Sequence, residues 1–405
     1  MAARAYDLRR RIDGMAQRID ALTGLRRLVD NQGSSVLSPT QWRAVEQCLA
    51  GAANTHRLAL KQLARHYLPV ANIAGAARIC NEKLGQQELH LAVSFDVFDT
   101  FADIITQRLS PRLGPMLADC DALAKDALKR DIPALQIIED PIVYCDRGFG
   151  ASTLREGVTL PDGNPNPVPL IQIPYTRLAE PLHLTSVIHE VGHEIAVRLS
   201  LIPVFANLAR RVCQGLGIPS RIGESYAYWM SELVPDFIGF CASGLAQPAS
   251  IREILALPPA DVFRFDSLDP HPPPYLRVLM SFAWSRITWG RGLWDGWEEM
   301  WQDFYPVECL APDKAEVFRQ FQKVIQPLAE CMMTVRLQAV GGIRISELYS
   351  TIDAHPASFN LAGSADGRGA NIPIRSCRTL HQLRSALEYQ ANHTSAEKQT
   401  LAKLA

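Results

Sequence analysis

A chain of 405 residues is long enough for two or three packed units rather than one small core. With 47% hydrophobic residues, 20% charged residues and a formal net charge of −1, it offers no electrostatic reason to expect nucleic acid or an anionic membrane as partner. The opening residues MAARAYDLRR lack the apolar run of a secretion signal, and no stretch reaches the ~18–20 uncharged apolar residues of a membrane span.

The nine cysteines are scattered and never spaced CxxC, so a reduced, cytoplasmic setting is expected, with neither a disulfide framework nor a cysteine metal site. In chain order, Leu8, Ile12, Met15, Ile19 and Leu22 recur at steps of four and three, which makes one apolar stripe on a helix. Such a stripe either packs on its own domain or meets a partner helix; two heptads favour the first. Segments 41–66, 69–85 and 90–108 continue the helical pattern. Near residue 133 the texture changes. ALQIIED, IVYCDRGFG and PLIQIPY are short β-prone runs separated by turn residues, as in PDGNPNPVP. They predict a small sheet over about 134–176, and helix returns at about 181. Near 341 the pattern shifts again: GGIRISELY and FNLAGSADGRGANIP precede a final amphipathic helix, CRTLHQLRSALEYQ. The reading is a predominantly helical α+β chain in three parts: a helical N-terminal region (1–132), a central domain (133–340) and a C-terminal appendage (341–405).

The chemistry lies in TSVIHEVGHEIAVRLS, residues 185–200. Residues four apart share one helix face, so His189 and His193 can aim imidazole nitrogens at one Zn2+ ion at about 2.0–2.1 Å. Glu190 falls beside them, where a carboxylate can take a proton from a zinc-bound water during attack on a carbonyl. Val187, Ile188, Val191, Ile195 and Val197 mark the helix as largely buried, and two buried histidines and a glutamate need specific partners. Gly192 costs a helix about 1 kcal/mol, which a close approach of another backbone or a substrate would explain.

A third ligand is expected in ESYAYWMSELVPDFIGF, residues 224–240, where Tyr228, Glu232 and Asp236 form a polar ladder at steps of four. Glu232 is the expected ligand, with Glu224 a competitor. Asp236 is placed to accept the other ring N–H of a metal-bound imidazole. Tyr226 and Tyr228 are candidate donors to a tetrahedral intermediate, although tyrosines on such helices more often serve the core. The strand PLIQIPY is read as an edge, with Leu170 to Pro174 able to pair with an extended peptide. Trp294, Trp297 and Trp301 have helical spacing and read as core packing.

HEVGH followed by ELVPD resembles the gluzincin metallopeptidases, whose second motif is Glu-x-x-x-Asp. DPHPPPYLRVLM, residues 269–280, resembles the His-Pro-Pro…Arg segment of the CAAX prenyl protease/HtpX-like gluzincins, in the same order along the chain. The resemblance covers about residues 169–280. It implies a zincin-like catalytic core, with His271 stabilising the oxyanion or substrate carbonyl and Arg277 anchoring the loop or a nearby carboxylate. The relatives' transmembrane helices have no counterpart here, and Pro235 stands inside the second motif where they carry a small residue.

The function expected is that of a zinc metallopeptidase acting on a peptide or protein substrate, with His189, His193 and Glu232 on one Zn2+ and Glu190 activating water. The alternatives are a non-proteolytic or inactive zinc hydrolase-like protein, or a helical protein-interaction module without metal. Oligomeric state is left open.

Overall fold

The structure, a computed structural model, describes residues 2–28, 36–148, 150–179, 181–349 and 352. It is predominantly helical, with one small three-stranded sheet. The described residues fall into two compact units, each discontinuous in sequence: one takes in Met1–Ala118, Ile138–Cys145 and Leu154–Leu170, the other Asp119–Ile137, Asp146–Thr153 and the chain from Ile171 onward.

The first unit is built on helices α1 (Ala2–Ala21), α2 (Pro39–Tyr67) and α3 (Ala74–Arg108). The stripe on α1 is turned inward: Leu8, Ile12, Met15, Ile19 and Leu22 are buried in a cluster with Ala53 and Leu60 of α2 and Cys80, Leu84 and Leu91 of α3. It is therefore core of its own unit. Helix α2 begins with a reciprocal cap, in which Gln41 N donates to Ser38 Oγ at 3.2 Å and Ser38 N donates to Gln41 Oε1 at 2.9 Å, with Pro39 in the first turn. A second apolar cluster joins Trp42, Val45 and Leu49 of α2 to Phe101, Ile104 and Ile105 of α3. The segments expected at 69–85 and 90–108 merge from Ala74 onward into one continuous helix, because nothing between Gly85 and His90 breaks the backbone pattern and Leu84 and Leu91 bury on the same face, while Leu68–Val70 form a separate 3-10 turn.

Helices α4 (Leu113–Leu128) and α5 (Pro133–Gln136) precede strands β1 (Ile142–Cys145), β2 (Ser152–Leu154) and β3 (Leu170–Ile173), and α6 (Tyr175–Ala179) follows them. Two expectations are corrected here. ALQIIED forms no strand: Pro133 at the first helical position starts a single turn, with Leu135 buried. Strand β3 is no edge, since the sheet order is β1-β3-β2 and both its sides are hydrogen-bonded, so Leu170 to Pro174 do not offer a free edge to a peptide.

The second unit centres on α7 (Thr185–Arg198), α8 (Leu201–Gly215) and α9 (Ser220–Ser243), surrounded by α10 (Ala246–Ile254), α11 (Pro259–Val262), α12 (Pro274–Trp289), α13 (Leu293–Phe304) and α14 (Pro312–Thr334). Helices α7 and α8 meet at 90°, turning on Ser200, whose φ of 52° lies in the left-handed region. No single helix among the described residues is long and apolar enough to cross a membrane. Helix α9 is the hub: it is buried throughout from Glu232 to Ser243, whereas its first half exposes Arg221, Glu224 and Tyr228. Of the three tryptophans with helical spacing, Trp294 and Trp301 are fully buried, as is Trp284 of α12, while Trp297 is only half-buried and lies under the Arg252 guanidinium, 4.6 Å from the ring centroid. The stretch FNLAGSADGRGANIP and the expected final helix lie outside the described residues.

Candidate metal centre

Two helices assemble the polar cluster. Helix α7 supplies His189, Glu190 and His193, whose ligand-type atoms all lie within 4.8 Å of one another, an arrangement that could hold a metal ion. The two imidazole rings stand 4.8 Å apart and nearly perpendicular, at 88°. Helix α9 crosses behind them, and the crossing is tight because Gly192 has no side chain: a β-carbon there would stand 2.8 Å from Pro235 Cα and 3.1 Å from its Cβ. The glycine of the motif and the proline of the second motif are thus one packing contact between α7 and α9.

That contact sets the depth of the ladder on α9. Tyr228 is 47% exposed, Glu232 7% and Asp236 1%, so the ladder runs from solvent into the core at one step per helical turn. Glu232 faces the imidazoles, its Oε2 being 3.3 Å from His189 Nε2 and its Oε1 3.7 Å from His193 Nε2. Behind them, His189 Nδ1 lies 2.8 Å from Asp236 Oδ1. Asp236 also receives Arg277 through both Nε and Nη2, the latter at 2.8 Å, and the amide of Gln247 at 3.3 Å. The Arg277 fork is the bidentate geometry that guanidinium and carboxylate favour. It ties the start of α12 to the middle of α9.

His271 lies in the loop before α12 with Nε2 3.6 Å from Glu232 Oε2. Its ring is held by Asp269, whose Oδ1 accepts from His271 Nδ1 at 2.7 Å and from the His271 backbone N–H at 3.0 Å. Arg264 donates to the other Asp269 oxygen at 2.9 Å, and Tyr228 donates its hydroxyl to the Leu268 carbonyl at 3.1 Å. Tyr226 is elsewhere: it is buried among Trp229 and Phe321 and gives its hydroxyl to the Phe321 carbonyl at 2.8 Å, so it has no donor to offer the cluster. Glu224 is exposed and paired with Arg210 of α8.

The electrostatics follow from burial. Desolvation works against a charged His189, but Asp236 at Nδ1 and Glu232 at Nε2 outweigh it and hold the ring up at about 10. Burial, with the neighbouring charge of His189, pushes His193 down to about 4. Burial likewise pushes the Glu190 carboxyl up to about 7, with Glu232 adding to it and His189 opposing. Glu232 and Asp236 are held well below the usual carboxylate range: burial opposes ionisation in both, and the positive charge of His189 and Arg277 overcomes it.

Sequence reasoning picked out His189, Glu190, His193, Glu232, Asp236, His271 and Arg277, and these seven come together. It missed Asp269, Arg264 and Gln247. Only Asp269 left a trace, as an aspartate two residues before a histidine, the spacing of a side chain that caps its own backbone. A scan against protein-family models finds no match, and searches of curated proteins and of solved structures find none either.

Proposed function

We propose that the protein is a zinc-dependent peptidase of gluzincin type, with His189, His193 and Glu232 holding the metal. One observation carries this reading: His189 Nε2 faces Glu232 Oε2 at 3.3 Å and His193 Nε2 faces Glu232 Oε1 at 3.7 Å, so the carboxylate sits between the two imidazoles. Tetrahedral coordination at about 2.0–2.2 Å puts neighbouring ligand atoms about 3.3–3.6 Å apart, whereas a hydrogen bond would draw them nearer 2.9 Å. The donor set of two imidazoles and one carboxylate suits zinc, and three protein ligands leave a position open, as catalytic sites require.

The outer partners fit the same role. With Nδ1 committed to Asp236, His189 presents Nε2 to the cluster, the pairing usual for a metal-bound histidine. Zinc, when bound, supplies a Lewis acid that lowers the pKa of water and polarises a carbonyl.

The chain's own residues do the rest. Glu190, buried and with its carboxyl near neutrality, takes the proton from the attacking water and passes it to the leaving amine. His271, at the exposed side of the cluster, faces the substrate carbonyl during turnover, as the resemblance implies. Asp236 and Arg277 keep His189 in register from behind.

The test has two parts. Purified protein should carry one zinc per chain, measured by elemental analysis, and an anomalous signal should sit among residues 189, 193 and 232. Glu190→Gln should abolish cleavage of a peptide-library substrate while zinc stays bound. A protein that purifies free of zinc and takes none up is the scaffold alternative, and the proposal is then wrong.

A further inference from the structure

The three ligands assigned above leave a fourth position, and His271 stands beside it. Resting on that assignment, we infer that His271 is a fourth protein ligand in the resting protein, so that the site is closed by its own loop and opens only when that loop withdraws.

The distances set His271 apart from an ordinary hydrogen-bond donor. Its Nε2 is 3.6 Å from Glu232 Oε2, too far for a hydrogen bond and equal to the edge of a tetrahedron around one zinc ion. His189 Nε2 stands 3.3 Å from that same oxygen, so Glu232 Oε2 has two imidazole nitrogens at ligand-to-ligand spacing, while His193 Nε2 faces the other oxygen at 3.7 Å.

The tautomer agrees. Asp269 accepts at Oδ1 from the His271 backbone N–H and at Oδ2 from Arg264, so it is a carboxylate and can only accept from Nδ1. A neutral His271 that gives its Nδ1 proton to Asp269 has a lone pair at Nε2. In the resting protein that nitrogen is free to bind a cation. The pair His271–Asp269 thus repeats the pair His189–Asp236, an imidazole backed by a carboxylate with Nε2 toward the cluster.

The two pairs differ in how firmly they are held. Asp236 is 1% exposed and locked by Arg277, whereas the His271 side chain is 54% exposed and its carboxylate is braced by a surface arginine. Pro272, Pro273 and Pro274 run stiffly from His271 into α12, so movement falls to the preceding segment, residues 264–270. There Phe265 is anchored on Trp229 and Phe321, while beyond it Leu268 is 82% exposed and the links to the rest of the site are hydrogen bonds, Arg264 to Asp269 and Tyr228 to the Leu268 carbonyl. A substrate that displaces His271 opens the position that chemistry requires.

X-ray absorption at the zinc edge of the loaded full-length protein, wild type and His271→Ala, reads the ligands directly. Three imidazoles are expected in the wild type and two, with an added oxygen scatterer, in the variant. Chelator competition should show zinc held at least about tenfold more weakly in the variant, since losing even an outer partner of a ligand commonly costs that much. Two imidazoles in the wild type, with no change on substitution, overturn the closed site and leave the zinc assignment standing. A wild type that binds no zinc overturns the assignment itself, and this inference with it. Asp269→Leu gives a second reading: it keeps the imidazole and removes its brace, so a weakened third imidazole shell is expected, and an unchanged shell counts against the loop as latch.

Discussion

Gly192 and Pro235 meet where α7 crosses α9, with room for a hydrogen atom and not for a methyl group: an added β-carbon would lie 3.0 Å from the Pro235 carbonyl oxygen as well as 2.8 Å from its Cα. The atoms in the way are backbone, so they do not yield as a flexible side chain would. Gly192→Ala should therefore separate the helices that carry His193 and Glu232. Alanine returns about 1 kcal/mol of helix propensity, and overpacking costs typically 1–3 kcal/mol. Net destabilisation of about 1 kcal/mol, read by denaturant unfolding, is expected together with weaker metal uptake. Wild-type metal affinity in this variant would show that the crossing does not set the site.

Arg277→Met removes the only guanidinium that, among the described residues, meets a carboxylate 1% exposed. Leaving one member of a buried ion pair without its partner typically costs about 3–5 kcal/mol. Loss of roughly 3 kcal/mol in urea unfolding is expected, because His189 and Gln247 remain on Asp236 and soften the loss. A change below about 1 kcal/mol would place the arginine among surface pairs, which contribute little.

Metal uptake should release protons. The His189 pKa is raised from 6.5 to about 10, so below that pH the metal-free ring carries a proton that a metal must displace, whereas His193, near 4, is already neutral. About one proton per metal is expected at pH 8, and affinity should fall about tenfold for each pH unit lowered across neutrality. Calorimetric titration in buffers of different ionisation enthalpy counts these protons, and a count of zero contradicts the prediction. The sign for folding is the reverse. A raised native pKa gives stability that is fully present below 6.5 and lost as pH rises toward about 10, so the metal-free protein should melt earlier across that window.

Ser38→Ala addresses the first unit alone. It removes one half of the reciprocal cap on α2, an N-cap change that costs about 1 kcal/mol. Thermal unfolding should register it, and zinc content should not change.

The site was legible in the sequence to the extent that it is written in helical spacing. His189 and His193, then Tyr228, Glu232 and Asp236, stand four apart, and that spacing alone puts each set on one face. The stripe on α1 was legible for the same reason. What spacing does not carry is the partner across a gap. Nothing in ESYAYWM says that the Tyr226 hydroxyl ends on the Phe321 carbonyl rather than at the cluster. The pairing of β3 on both sides is likewise a property of distant strands. ALQIIED shows the opposite failure: its isoleucines favour a strand, and Pro133 just before it starts a turn of helix instead.

The inward descent of Tyr228, Glu232 and Asp236 carries an evolutionary consequence. Freedom to vary should shrink by one grade with each turn of α9, from a rung that water can reach to one that tolerates a single residue. Saturation mutagenesis scored by folded yield would trace that slope, and it would locate where the molecule can acquire new specificities without losing its fold.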